Sequence, residues 1–434
     1  MKLFQRISIE RFNQISVLFA TLWLLITIPL GIVIRPTIPD FEQFYIGGVI
    51  ASRGEWDALY PIPKPRSLDN PGLRIHSDAK PKWKSLSKDL GTRDHTHFML
   101  PPPSALLFAP LAFFSYQEAF WFWTFFETAC VWGVAILGAR LLRYVFGRLS
   151  RWEGVLILLI AVSPMTARAI RIANVSPPIA LALAVALLAA LRGDQPARGA
   201  WALLLGATFK YATLVLAPLL LAMRRWRMFI YLSVFGLLAV AMTVAFAGLA
   251  PFVEFYQTIL PTLSRPSMFR GNQSLPGFLA RVFGRPLTPV ISIALNFARL
   301  FSLLMILWVM FKISPRQWRR PVNVLAGAGL LVSWLLVFSP IAWEHWPIFL
   351  CPVWGWLLWE VSQPGWRRVA ALASLTLMCL PSGIFHVKGF ASYRFSLPEP
   401  LNSSQLIGVI LVLVLAYGRL LKPHLSETRE TAPL

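Results

Sequence analysis

Charge is scarce in this 434-residue chain: Asp, Glu, Lys and Arg make up 14% of it, 56% is hydrophobic, and the mean hydropathy is +0.61. Soluble domains carry about a quarter charged residues, so the balance excludes a water-soluble enzyme. Acid is scarcer still, 19 residues against 41 Lys and Arg, which leaves a net charge of +22. The basic residues fall in short clusters between apolar runs, as cytoplasmic loops do beside anionic lipid. No basic stripe is interleaved with exposed aromatics, so nucleic acid is not an expected partner. Cysteine is nearly absent. Cys130, Cys351 and Cys379 lie far apart inside apolar runs, a spacing that supplies neither a disulfide framework nor a metal site. The chain lacks a P-loop, a GxGxxG turn and a Ser–His–Asp arrangement, which counts against nucleotide-driven transport and serine hydrolysis. It also lacks a 20–50-residue repeat and a Gly/Ser linker, and so reads as one integral membrane domain over residues 1–434.

What is present is a succession of apolar runs. Residues 15–34 are long enough to cross a hydrocarbon core of about 30 Å at about 1.5 Å per residue. The basic lead of Lys2, Arg6 and Arg11 keeps the N-terminus cytoplasmic, and the run is too long for a signal-peptide core, so it is an uncleaved anchor. The long polar segment that follows belongs to a first external loop, 35–117. Its end, FMLPPPSALLFAPLAFFSY over 98–116, is short and proline-broken, and a crossing there would put Arg140, Arg143, Arg148 and Arg151 outside. It is therefore expected to be interfacial or re-entrant. Spans then follow near 118–139, 153–167, 177–191, 200–210, 211–223, 228–249, 287–311, 322–338, 346–360, 367–383 and 405–420. Residues 200–223 could also be one span, but two short ones keep the arginines inside. The expectation is an all-α polytopic bundle of about 12 transmembrane helices. It has a long first periplasmic loop carrying interfacial helices, the remaining spans within 118–420, and a cytoplasmic tail at 421–434.

With that parity the polar residues converge on the outer face: Asp40, Arg168, Arg171, Asn174, Lys210, Arg270, Asn272, Gln273, Ser274, Glu344 and His345. Ionisable groups at such depth are functional candidates. Each also has a plain structural reading. Asp40 precedes a helix near 41–52 with Gln43 three residues on, which is the pattern of a capping box, with Gly54 closing the far end. Lys210 could snorkel to the interface, His345 could be a belt residue, and Arg168 and Arg171 could hold lipid phosphates nonspecifically. Glu55 and Asp57 would cap or solvate the turn at RGEWDALYP. Asp94, His95 and His97 have ligand types suited to a transition metal, but their loop is basic and proline-rich. No metal is assigned and no cofactor is expected, a divalent cation being possible but not indicated.

Five blocks carry a resemblance: DFEQFYIGG with GEWDALYP, MLPPPSALLFAPLAFF, GATFKYATLVLAP, NQSLPG and SPIAWEHW. In this order they resemble the polytopic glycosyltransferases of the GT-C class. Within that class they resemble Glycosyltransferase family 87, the polyprenol-phosphate-mannose-dependent mannosyltransferase-like proteins, over about residues 15–360. Two departures stand out: the G-Q-x-N loop of the family reads here as IANVSPP, and Trp346 replaces the second histidine of its W-x-H-H pattern. The resemblance implies an inverting transfer of a sugar, with mannose the family's sugar, from a polyprenyl-phosphate-sugar donor to a lipid or glycan acceptor. It implies the bacterial inner membrane, with the active site facing the periplasm. Asp40 takes the role of general base, Lys210, His345, Arg168 and Arg171 face the donor phosphate, and Asn174, Asn272, Gln273, Glu344 and Tyr45 are substrate-binding residues. The competing reading is a transporter or flippase of lipid-linked or small solutes. It would want paired halves with midplane charge, and Glu127 is the nearest midplane acid, with no repeat to match it.

Overall fold

A computed structural model describes residues 8–34, 40–61, 80–92, 97–269, 271–284, 287–380 and 403–421. The basic lead Lys2 and Arg6, together with Asp94, His95, Arg270, residues 381–402 and the tail beyond 421, lies outside the described residues. Among the described residues there is no strand; a single antiparallel bridge pairs Asn272 with Trp343. The protein is an all-helical integral membrane protein.

Helix α1 (Ile9–Ile34) starts at residue 9 rather than 15, because the Ser8 hydroxyl accepts the Arg11 N–H at 3.2 Å and caps the first turn. Helix α2 (Phe41–Ser52) and the amphipathic α3 (Pro81–Asp89) stand in the expected external loop. Gly54, at φ +69°, closes the far end of α2. Glu55 and Asp57 face Lys82 on α3, at 3.5 and 3.9 Å. Helix α4 (Pro102–Phe108) runs on into a 3-10 turn, Ala109–Phe113. Those twelve residues rise about 20 Å, too little to cross a core of about 30 Å. Instead, α4 packs beneath α2 through the Phe44–Phe108 stack, 5.1 Å between centroids.

Helix α5 (Tyr116–Phe146) opens on a capping box, Ser115 with Glu118, and α6 (Arg151–Val162) on another, Ser150 with Glu153. Between α6 and α7 (Pro164–Arg171) the axis bends by 42°. The cause is Pro164, which drives Ser163 out of the helical region to ψ 138°. The alanine-rich α8 (Ser176–Arg192) and then α9 (Pro196–Phe209) follow. At Lys210 the backbone becomes extended, and the chain turns back as the 3-10 helix Tyr211–Leu216 and α10 (Ala217–Ala222). That this is a reversal rather than one long helix follows from Thr213, whose hydroxyl donates to the Leu203 carbonyl at 2.8 Å. The longer helices that follow are α11 (Trp226–Ala247), α12 (Leu275–Phe283), α13 (Pro289–Lys312), α14 (Pro321–Phe338), α15 (Trp354–Ser362), α16 (Trp366–Cys379) and α17 (Ser404–Leu421).

Helices α8 and α14 form the centre, buried along nearly their whole length, with α5, α9 and α17 packed around them. Helices α11 and α13 expose most of their apolar surface, with only 11% of each span window buried, as a lipid-facing helix does. Among the described residues six helices are long and apolar enough to cross a membrane, or seven if the bent α6–α7 pair counts as one span. This falls short of the expected twelve. The difference has a local cause: several expected spans are interrupted by X-Pro steps, by 3-10 turns, or by the extended Lys210. Cys130 and Cys351 are buried and Cys379 partly so, all three free.

The α2–α4 contact is tight enough to test. A Cβ on Gly48 would overlap the Phe108 carbonyl, and one on Gly47 the Phe98 ring. Gly48→Ala should therefore cost about 1–3 kcal/mol, read as a lowered midpoint of thermal unfolding in detergent. An unchanged midpoint would show that the two helices do not meet there.

Candidate active site

Asp40 is held from both ends of its residue. Its backbone N–H donates to the Ile172 carbonyl at 2.6 Å, and its Oδ2 accepts the Asn174 side-chain amide at 2.6 Å. The turn that presents Asn174 follows α7 and passes through Ala173 at φ +49°, a strained left-handed conformation for a residue with a Cβ. Asn174 is 3% exposed, and its Oδ1 accepts both the N–H and the hydroxyl of Ser176, at 3.0 and 2.7 Å. Its amide orientation is thereby fixed, and the NH2 group must face Asp40. The capping-box expectation fails here: Asp40 makes no side-chain cap bond and sits at helical φ −64°. Its second oxygen makes no hydrogen bond among the described residues.

Lys210 and Arg168 lie close enough to stabilise the Asp40 carboxylate, and the Asn174 hydrogen bond acts in the same direction, yet burial outweighs all three and raises its pKa above the ordinary value. The ammonium of Lys210 rests over the Trp346 ring at 4.6 Å. Burial lowers the Lys210 pKa to about 8, against an opposing pull from Asp40. Arg168 pairs with Glu344 at 2.9 Å. Burial raises the Glu344 pKa despite Arg168 and Arg171 nearby. His345 is 3% exposed, and burial, with Lys210 and Arg168 adding to it, pushes its pKa far down. Burial therefore favours the neutral imidazole over the imidazolium. That form offers a ring N–H, and its Nε2 has no partner among the described residues.

Asn272 belongs to the scaffold. Its amide donates to the carbonyls of Ser267 and Pro340, at 2.9 and 3.1 Å. Its Oδ1 accepts from the Ser274 N–H, the Ser274 hydroxyl and the Ala342 N–H, at 3.3, 2.9 and 2.8 Å. Every hydrogen-bonding position of the side chain is thus occupied by the protein. Gln273 N donates to Ala342 O at 2.6 Å and Glu344 N to Gly271 O at 2.8 Å, so the strap 271–274 carries Trp343, Glu344 and His345. Tyr45 is not part of the cluster. Its hydroxyl donates to the Phe114 carbonyl at 2.7 Å, and its charged neighbours are Arg53 and Glu118.

Two neighbours were not singled out as site residues from the sequence. Trp346 was noted only as a departure from a histidine, although an aromatic beside His345 is the natural seat for a cation. Glu127, one turn beyond Trp123 on α5, is fully buried, and its carboxyl lies within electrostatic reach of Asp40. Its signal was an acid in an otherwise apolar span.

The strap can be broken separately from the charges it carries. Asn272→Ala would leave the Ala342 N–H and the Ser267 and Pro340 carbonyls without their partner, costing at least about 2 kcal/mol. Limited proteolysis should then cut first between residues 267 and 345, and a variant as resistant as the parent there would exclude the strap.

No curated protein matches the chain. The sequence pattern of Glycosyltransferase family 87 matches residues 98–340, a narrower stretch than the resemblance over 15–360. It contains Arg168, Arg171, Asn174, Lys210, Asn272 and Gln273, and it leaves Asp40, Tyr45, Glu344 and His345 outside. With more than half of its 434 residues matched in order, this helical membrane protein belongs to Glycosyltransferase family 87.

Proposed function

We propose that the protein transfers a sugar, with mannose the first candidate, from a polyprenyl-phosphate-sugar donor to a lipid or glycan acceptor at the outer face of a bacterial inner membrane, in one inverting displacement with Asp40 as general base. The observation that carries the reading is the state of Asp40. It is a carboxylate with one oxygen fixed by Asn174 and the other unoccupied, set in the field of Lys210 and Arg168.

A single displacement needs a base opposite the leaving group, to take the acceptor hydroxyl proton as its oxygen attacks the anomeric carbon. The raised pKa of Asp40 makes it a stronger proton acceptor than an exposed carboxylate. As the bond from the anomeric carbon to the phosphate oxygen breaks, the electron pair passes to the phosphate. Lys210 and Arg168 supply fixed positive charge there, and such charge is worth more in a partly dry site than in water. Arg171 adds to that field, and Glu344 orients Arg168 through their ion pair. Neutral His345 donates a hydrogen bond to a phosphate or sugar oxygen, and Gln273 lies on the same strap as a sugar contact. Asn272 and Tyr45 serve the frame.

Asp40→Asn should lower kcat about 10²–10⁴-fold with little change in donor KM, assayed in liposomes with polyprenyl-phosphate-mannose. Transfer at the parental rate would dismiss Asp40 as the base. The pH profile should be bell-shaped. Activity falls on the acid side as Asp40 takes up a proton at its raised pKa, and on the alkaline side as Lys210 loses one near pH 8. Removing a hydrogen bond to a carboxylate raises its pKa, so Asn174→Ala should move the acid limb to higher pH. Lys210→Arg, whose guanidinium stays charged, should remove the alkaline limb. Limbs that stay in place in both variants would assign the titration to other groups.

A further inference from the structure

At the end of α1 remote from Asp40, residues of α1, α5 and α6 line a cleft of about 710 Å³. Its walls change character with depth. Val17, Leu18, Ile136 and Ile157 line one part, and Glu10, Arg140, Arg143 and Glu153 line the other. An apolar slot with a charged rim between membrane helices is the shape that accepts a lipid with its head group.

The rim charges are not equivalent. Glu153 is 3% exposed and grips Arg143 through both oxygens, with the Arg143 Nε at 2.9 Å from each and its Nη2 at 2.7 Å from one. That pair is internally neutralised. Asn13 on the same rim is committed as well, donating to the Ser150 carbonyl at 3.2 Å and accepting the Gly154 N–H at 3.0 Å, which ties α1 to the start of α6. What remains is one cation, Arg140, and one anion, Glu10, and neither makes an ion pair or side-chain hydrogen bond among the described residues. Arg140 lies six residues before the end of α5 and is exposed, at the level where a guanidinium meets lipid head groups.

We propose that this cleft is a binding site for a zwitterionic aminophospholipid: its phosphate on Arg140, its ammonium towards Glu10, and an acyl chain along Val17, Leu18, Ile136 and Ile157. One positive and one negative side chain, left over after the internal pair is formed, complement a head group that carries one charge of each sign. A guanidinium suits the phosphate oxygens through paired N–H donors. The lipid would fill the gap between α1 and α5, over the floor that α6 provides, and so stabilise the seat of the first helix. The site is independent of the transfer chemistry at the other end of the bundle.

The test uses the full chain, delipidated in detergent and titrated with phosphatidylethanolamine, phosphatidylglycerol, diacylglycerol or inorganic phosphate, with bound lipid counted by native mass spectrometry. Phosphatidylethanolamine should bind at least about fivefold more tightly than diacylglycerol, and free phosphate should not displace it. Arg140→Gln should remove that preference, Glu10→Gln should remove the advantage over phosphatidylglycerol, and Arg148→Gln, outside the cleft, should change nothing. Leu18→Trp, which fills the slot at an exposed position, should lower occupancy by every lipid while the unfolding midpoint in detergent stays put. Equal binding of diacylglycerol and phosphatidylethanolamine, or parental occupancy in both Arg140→Gln and Leu18→Trp, would overturn the proposal.

Discussion

The site depends on one clasp. Asp40 reaches the turn after α7 twice, through its own N–H to Ile172 and through the Asn174 amide to its carboxylate. That joins the start of α2, in the first loop, to a segment more than 130 residues later. A carboxylate taken out of water is expensive unless it is hydrogen-bonded or near positive charge. Here one hydrogen bond and two nearby cations only partly offset the burial, and the remaining imbalance is what makes the group a candidate base. The same imbalance would be a defect in a purely structural carboxylate.

Around that clasp, broken helices do what straight ones could not. Lys210 sits where α9 ends and the chain reverses, Arg168 and Arg171 sit beyond the bend at Ser163, and Glu344 and His345 sit beyond the end of α14. Each break brings an ionisable side chain to the same level of the bundle, and each is caused by local chemistry: an X-Pro step, an extended residue, or a strap held by Asn272. The residues that make the breaks are not those that carry the charge. Pro164, Ala173 and Asn272 position their neighbours and have no further chemistry.

The charges are also graded by their surroundings. Arg168 is tied to Glu344, Lys210 leans on Trp346, and His345 is neutral. Of the four groups expected to face a leaving phosphate, Arg168 is a cation shared with Glu344, Lys210 a cation with a depressed pKa, His345 a hydrogen-bond donor, and Arg171 a second guanidinium near Glu344. Glu127, fully buried on α5 and within electrostatic reach of Asp40, is a further carboxyl beside the cluster. Family membership rests on residues 98–340, so the cationic half of the cluster lies within the matched region and Asp40 itself is reached only through its contact with Asn174.

Composition and the long continuous apolar runs determined that the chain is helical and membrane-embedded, because a run of about twenty apolar residues in lipid satisfies its backbone hydrogen bonds within itself as a helix, whereas a barrel strand is about half as long and alternates. Short motifs in chain order marked out Asp40, Arg168, Asn174, Lys210, Glu344 and His345, because polar residues in an apolar sequence are conspicuous one at a time. Residue patterns could not show that Asn272 is saturated by its own loop, that Tyr45 turns to Phe114, or that His345 is neutral. Neither could they show that Asp40 declines the capping role that Gln43 seemed to offer. Those properties belong to neighbours brought together from distant parts of the chain. Only tertiary structure decides them, because hydrogen-bond saturation and desolvation are set by what surrounds a side chain in space, and the sequence states only what precedes and follows it.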